Sequence, residues 1–402
     1  MSAPAAERPV AWWTFPTVPV VAAALAFAWT LNAELLRLYG MTSPAWDLAY
    51  NQQIVWNISA GQGFYSSFAR ANLLGIHLEL IFVALAAIEK LWASPVVLVI
   101  FSSAGLAATA PAAYLFLRAL LPADRAESPW VAVALAAPIP FCIATQEAAI
   151  DSFHPENLAL PLALLAGWAG LRGYRVAMWI LCVLVLTCKE DQALTVGLIG
   201  ILMGAYGAPE VRKQWGLIVY LAGAWFFFST VIVQRVAVLN GQTPQDVLLL
   251  LFPLIVAGGV VARKFLEMRS IRRTTALLLI LPALLLAWGS GRIPPALGAE
   301  SGLYSHPSAV AELRRATEMI PADAPVNADP ALTVWLANRH TINDFPDMLD
   351  GTCYVVIDRE AYLSGPTHPD LRLAAIADLP DSGRSLLYDD GRFQVWGPIG
   401  GD

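Results

Sequence analysis

The chain has 402 residues, 57% of them hydrophobic and 14% charged, with a formal net charge of −6. Soluble globular chains carry about 25% charged residues, so this composition excludes an ordinary soluble protein. The acidic balance, with no basic patch or aromatic stacking platform, excludes a nucleic-acid partner. The four cysteines, Cys142, Cys182, Cys188 and Cys353, form no CxxC pair and predict neither a zinc site nor a disulfide framework.

Apolar runs of the length needed to cross about 30 Å of hydrocarbon recur along the chain. They predict spans near 12–31, 96–117, 130–147, 157–171, 176–188, 192–206, 215–235, 247–262 and 274–290. The first lacks a small-residue cleavage site and reads as a retained span. Many of the 14 Trp stand near run ends, as interfacial anchors do. The segment 78–92, with Glu79, Glu89 and Lys90 near its ends, either crosses or lies along the interface as an amphipathic helix.

The positive-inside rule decides between these. If 78–92 does not cross, one side holds Arg118, Arg125, Arg172, Arg175, Arg212, Lys213, Arg263, Lys264, Arg269, Arg272 and Arg273. The other side then holds chiefly Arg37, Arg70 and Lys189. The expected protein is therefore a polytopic α-helical membrane protein of about nine spans in the cell membrane, with a cytoplasmic N-terminus. Its transmembrane domain covers 1–291, with a first external loop at 32–95. The tail 292–402 is polar and reads as a small extracytoplasmic α/β domain. It has a helical pattern at 308–320 and short apolar strands at 325–327, 353–357 and 393–396.

Under this topology the unusual polar residues collect on the outer face. The first loop supplies Asp47, Asn51, Gln52, Gln53, Asn57 and His77, interleaved with Trp46, Tyr50 and Trp56. Asp47 can activate an acceptor hydroxyl as general base or bind a divalent metal that holds a phosphate. It can equally be an N-cap or a solvated loop residue. The run AAIDSFHPENLALPL supplies Asp151, His154 and Glu156, which can line a polar pocket; capping explains Glu156 well and His154 poorly. The triplet Lys189-Glu190-Asp191 separates two apolar halves. Its acids favour the start of the next helix, and its lysine requires a carboxylate or a phosphate. His77 reads as a helix-start residue or a pocket residue. As metal ligands, Asp47, Asp151, His154 and Glu156 have no diagnostic spacing.

The ordered strings WDLAYNQQIVWN, NLLGIHLELIF, DSFHPENLALPL and KEDQALTV resemble a bacterial and archaeal membrane family, domain of unknown function 2079. The tail segment IPADAPVNADPALTVWLANRHTINDFP, followed by YVVID, looks like that family's C-terminal region. The departure lies around 240–275, where the family has more membrane sequence. The family is in turn similar to the GT-C class of polytopic glycosyltransferases. That resemblance implies a GT-C-like fold and transfer of a sugar from a polyprenyl-phosphate donor to an extracytoplasmic glycan, lipid or protein acceptor. It implies Asp47 as the catalytic acid-base residue of the first external loop, and Lys189-Glu190 as the pair where an external loop meets a helix. Lys189 or a divalent metal, Mg2+ or Mn2+, would meet the donor phosphate; His77, Asp151, His154, Glu156, Glu190 and Asp191 would line the donor-phosphate or sugar pocket, with Asp47, Asp151, His154 and Glu156 alternatively holding that metal. The alternatives are a transporter or lipid-handling protein, whose proton relays also use acids and histidines, and an inactive scaffold of the same fold.

Overall fold

The computed structural model describes residues 16–43, 45–233, 280–347, 351–361 and 369–400, with short pieces between 255 and 263. Most of the expected span at 247–262 and of the departure at 240–275 lies outside the described residues, as do the start of the span at 274–290, Lys264, Arg269, Arg272 and Arg273. The helical body starts with α1 (Thr17–Tyr39) and α2 (Ala45–Ser59). A small hairpin of β1 (Tyr65–Ser66) and β2 (Ala71–Asn72) leads to α3 (Phe82–Glu89). There follow α4 (Val96–Leu120), α5 (Ser128–Ala136), α6 (Ile143–Ile150), α7 (Glu156–Arg172) and α8 (Arg175–Cys188). The body continues with α9 (Gln192–Tyr206), α10 (Pro209–Arg212), α11 (Trp215–Phe227) and α12 (Ile280–Ser290).

Among the described residues, three helical stretches are long and apolar enough to cross a membrane: 17–39, 96–120 and 128–150. The last is broken by a 3-10 turn at Ile139–Phe141, where Pro138 and Pro140 remove backbone donors. The helices 175–188, 192–206 and 215–230 are apolar but shorter. They carry outward apolar side chains such as Ile180, Leu194 and Tyr220, each more than half exposed. The first helix starts at Thr17 and runs on to Tyr39, beyond the expected 12–31. Its polar end is tolerated because neighbours satisfy it. Glu34 accepts from Ser103 Oγ at 2.8 Å, and Arg37 donates to the Ile150 carbonyl at 2.8 Å. Within the ambiguous segment 78–92, α3 has 8 residues. At 1.5 Å per residue it spans about 12 Å, far short of the bilayer core.

The central pair of the body is α4 and α7, both buried along most of their length. Gly105 makes their crossing close, since a Cβ there would overlap the Asn157 carbonyl at the start of α7. Helices α1, α5, α8, α9 and α11 pack their inner faces against this pair in one apolar core. The basic end of the body is tied as well, with Arg263 donating to the Leu120 carbonyl at 2.7 Å.

The tail folds as α13 (Val310–Thr317), β3 (Val326–Ala328), α14 (Pro330–Leu336), β4 (Ile342–Asp344), β5 (Tyr354–Asp358), α15 (Pro369–Asp378), β6 (Leu386–Asp389) and β7 (Phe393–Trp396). The sheet order is β4-β3-β5-β7-β6, with β4, β3 and β5 parallel and β7 and β6 antiparallel. Both faces are covered, as parallel strands require. Val356, Phe393 and Val395 face α13 and α14, whereas Val355, Ile357 and Trp396 face α15. A buried pair, Arg372 to Asp329 at 2.6 Å, fixes α15 to the end of β3.

The segment between α12 and α13 lies on the helical body rather than with the sheet. Ile293 N–H donates to Gln146 Oε1 at 3.1 Å, and Thr42 Oγ1 donates to the Leu303 carbonyl at 2.5 Å. The sheet domain docks on α2. Gln53 Nε2 donates to Ser67 Oγ at 2.8 Å and to the His340 carbonyl at 2.9 Å. Ser67 Oγ accepts from Ile342 N–H at 2.9 Å and donates to the Ile342 carbonyl at 2.6 Å, so it brackets the edge strand β4. Gln52 Nε2 donates to Glu89 Oε1 and to Asn338 Oδ1, both at 2.7 Å.

Burial pushes the Glu89 carboxyl up to about 7 from 4.5, against the hydrogen bond from Gln52. A carboxyl raised by folding stabilises the folded form when protonated. Its contribution is complete below about pH 4.5 and is lost as the pH rises through about 7. Thermal unfolding of the purified protein at pH 5 and pH 8 checks this. The wild type should lose more stability than Glu89→Gln over that interval, and equal pH slopes would refute it.

Candidate functional site

The polar residues singled out in the sequence gather at one end of the helical body, where α1, α6 and α8 end and α7 and α9 begin. They form two adjoining groups. The first is partly open to solvent. Asp47 lies in the first turn of α2, where the helix dipole favours a carboxylate. Its side chain is 48% exposed, and its Oδ2 stands 4.0 Å from His154 Nε2. Asp151, exposed at the C-cap of α6, completes the trio. Lost hydration raises its carboxyl above the ordinary value, with His154 opposing the shift and the charge of Asp47 adding to it.

The backbone around this trio is held tightly. Asn51, one turn along α2 from Asp47, donates to the Phe153 carbonyl at 2.9 Å. Phe153 is fully buried against Phe82 of α3, with ring centroids 6.1 Å apart. Ser152 adopts φ +69°, in the left-handed region that non-glycine residues rarely visit. Its carbonyl accepts from Asn157 Nδ2 at 3.2 Å, and Ser43 and Ser152 hydroxyls meet at 3.4 Å. Such a strained residue persists only where its surroundings over-determine it. Here it turns the chain sharply between Asp151 and His154.

The second group is buried. His77 Nδ1 and Glu190 Oε1 are 3.0 Å apart, and Leu78 N–H donates to Glu190 Oε2 at 2.9 Å. Lys189 pairs with Glu156 at the start of α7. Glu79 lies among them, and Asp191 stands at the start of α9, where its charge acts on Lys189. Burial disfavours the charged ring of His77, but its hydrogen bond to Glu190 and the charge of Glu79 outweigh this and raise its pKa. Burial likewise works against Glu190, and the bond from His77 wins and holds its pKa below the ordinary value. Lys189 follows the same pattern: burial lowers its pKa, while Glu156 and Glu79 raise it above the usual range. The Glu79 carboxyl is pushed up to about 8 by burial, only partly opposed by His77. The group therefore holds two matched pairs, His77 with Glu190 and Lys189 with Glu156, around Glu79, whose uncharged form burial favours.

The partner that the sequence demands for Lys189 is thus a carboxylate already in the fold. Among the described residues, no three His, Cys, Asp or Glu side chains are placed to hold a metal ion. Asp47, Asp151, His154 and Glu156 do not form such a group there, and Glu156 turns to Lys189. The amides of the first loop, Asn51, Gln52, Gln53 and Asn57, are at most 4% exposed and serve as structural ties. Two residues with a place in the site were not marked as candidates. Tyr50 is buried on α2 between the groups, and burial, then the charges of Glu79 and Asp47, raise its phenol. Arg292 reaches the open trio, where its charge acts on Asp151, and it pairs with Glu147 at 3.0 Å. Tyr50 carried a signal, one helical turn from Asp47; Arg292 carried none.

Removing one partner of a buried ion pair leaves an uncompensated charge and costs about 3–5 kcal/mol. Glu156→Gln and Lys189→Met should each lower the unfolding free energy in micelles by about that amount, and the double variant Glu156→Gln/Lys189→Met should recover most of it. Additive losses in a double-mutant cycle would show that the pair is not coupled.

A family described as predicted membrane protein DUF2079 matches residues 37–247. No curated protein matches the chain. The matched stretch takes in more than half of the chain and every residue of both polar groups apart from Arg292. With its apolar spanning helices and this match, the chain belongs to the DUF2079 family of membrane proteins.

Proposed function

We propose that the protein is a GT-C-like membrane glycosyltransferase that moves a sugar from a polyprenyl-phosphate donor to a glycan, lipid or protein acceptor outside the cytoplasm. The observation that carries this reading is the contrast within the polar end. Glu79, Glu156 and Glu190 are buried and engaged, whereas Asp47 is half exposed beside His154 and Asp151. A carboxylate that reaches solvent from a rigid helix start suits a general base.

In this mechanism the acceptor hydroxyl oxygen attacks the anomeric carbon and Asp47 takes its proton. The bond from that carbon to the phosphate oxygen breaks, and the polyprenyl phosphate leaves as an anion that needs no proton. His154 Nε2 stands 4.0 Å from Asp47 Oδ2 and bounds the space beside it. The leaving phosphate needs a cation. Lys189 serves only if phosphate displaces Glu156, while Arg292, half exposed beside Asp151, has only a surface partner to release. The deeper group acts as a charge-balanced floor.

Sugar transfer from labelled polyprenyl-phosphate donors, measured for the purified Asp47→Asn variant, tests the reading. Loss of a general base predicts a fall of about 10²–10⁴-fold. Wild-type turnover would remove Asp47 from the mechanism.

One observation favours a second reading, a transporter: the buried Glu79, whose carboxyl burial pushes up, with His77 and Lys189 around it resembles a proton-holding group. Proton-coupled counterflow in proteoliposomes, abolished by Glu79→Gln and without sugar transfer, would replace the first reading.

A further inference from the structure

A small cavity of about 160 Å³ lies where the sheet domain meets the helical body. The loop between α3 and α4 contributes Trp92 and Ser94, α13 contributes Leu313 and Arg314, and the end of α14 contributes Trp335 and Asn338. Pockets that enclose drug-sized ligands measure about 300–1,000 Å³, so this one holds a single ring and excludes an acyl chain or a peptide.

Its chemistry is two-sided. The indole N–H of Trp335 is spent on the Leu38 carbonyl at 3.2 Å, so the cavity receives only the carbon surface of that ring. Trp92 is 52% exposed and adds a second aromatic surface. Opposite in character are two donors. Asn338 Oδ1 accepts from Gln52 Nε2, which fixes the amide and leaves its N–H groups without a protein acceptor among the described residues. The Arg314 guanidinium makes no ion pair among the described residues, in contrast to its neighbour Arg315, which pairs with Glu312 at 3.3 Å. No lining residue is acidic. Beneath Asn338 the Gln52–Glu89 pair is buried and closed off, so it supports the cavity, and burial favours the uncharged form of that carboxyl.

Aromatic carbon against donors and one unmatched cation selects a ring with an apolar C–H face, oxygens at its rim and a carboxylate. We propose that the cavity is a subsite for one acidic sugar ring, a hexuronic acid unit, with Arg314 on the carboxylate, Asn338 on a ring hydroxyl and Trp92 against the C–H face. As an acceptor subsite it rests on the glycosyl-transfer reading; as a binding site it does not.

The test is ligand-observed NMR and tryptophan fluorescence on the full chain in nanodiscs, titrated with glucuronate, glucose and acetate. Glucuronate should saturate, and glucose and acetate should each bind at least tenfold more weakly, since one lacks the charge and the other the ring. Arg314→Gln and Trp92→Ala, both on exposed side chains, should each weaken glucuronate at least tenfold. No saturable glucuronate binding, equal binding of glucose or acetate, or wild-type binding by Arg314→Gln overturns the proposal. A protein that binds glucuronate as described yet transfers no sugar keeps the subsite and loses the glycosyl-transfer reading.

Discussion

The structure depends on a row of buried amides along one short helix. Asn51, Gln52, Gln53 and Asn57 of α2 are all shielded from water, and each donates to a group outside α2. A buried amide with a partner contributes about 0.5–1.5 kcal/mol, and one left without costs about 1–3 kcal/mol. The four bonds therefore stand or fall together. They hold the 151–155 turn, the hairpin after α2 and the sheet domain in fixed positions around a helix that carries Asp47 at its open end. The geometry of the candidate site and the docking of the tail are thus one constraint, with α2 as the shared part.

The second organising feature is how charge is kept at the end of an apolar body. Lone ions there would be expensive, and pairing removes the cost only when geometry is good. The deep group meets this condition with two pairs and one acid whose uncharged form burial favours. The open trio has no such closure and relies on solvent. This division separates side chains that build the floor from those able to meet a substrate.

Much of this was legible beforehand, and the exceptions have physical causes. The strands near 353–357 and 393–396 run as Tyr354–Asp358 and Phe393–Trp396, because alternating apolar residues meet two covered faces. The strands Ile342–Asp344 and Leu386–Asp389 gave no comparable signal, one because it is three residues long and the other because it is largely exposed. Hydropathy ended the first span too early, since Glu34 and Arg37 look costly until Ser103 and Ile150 supply their partners. The gathering of Asp47, His77, Asp151, His154, Glu156 and Lys189 at one end followed from counting basic loops. Their split into an open and a closed group did not, because pairing such as Lys189 with Glu156 joins residues far apart in sequence. The polar amides of the first loop resembled a substrate site for a related reason: a buried tie and a ligand contact use the same chemistry.

The bracket that Ser67 places on Ile342 has a consequence for the tail as a separate object. An outermost strand exposes unpaired backbone groups that invite another strand. Here a serine from the membrane-bound part occupies one donor and one acceptor of that border, and Gln53 holds the serine in place. Severed from its anchor, the sheet would present that border bare, as a template for self-association through strand addition. Its solubility is lent to it by the hairpin it rests on.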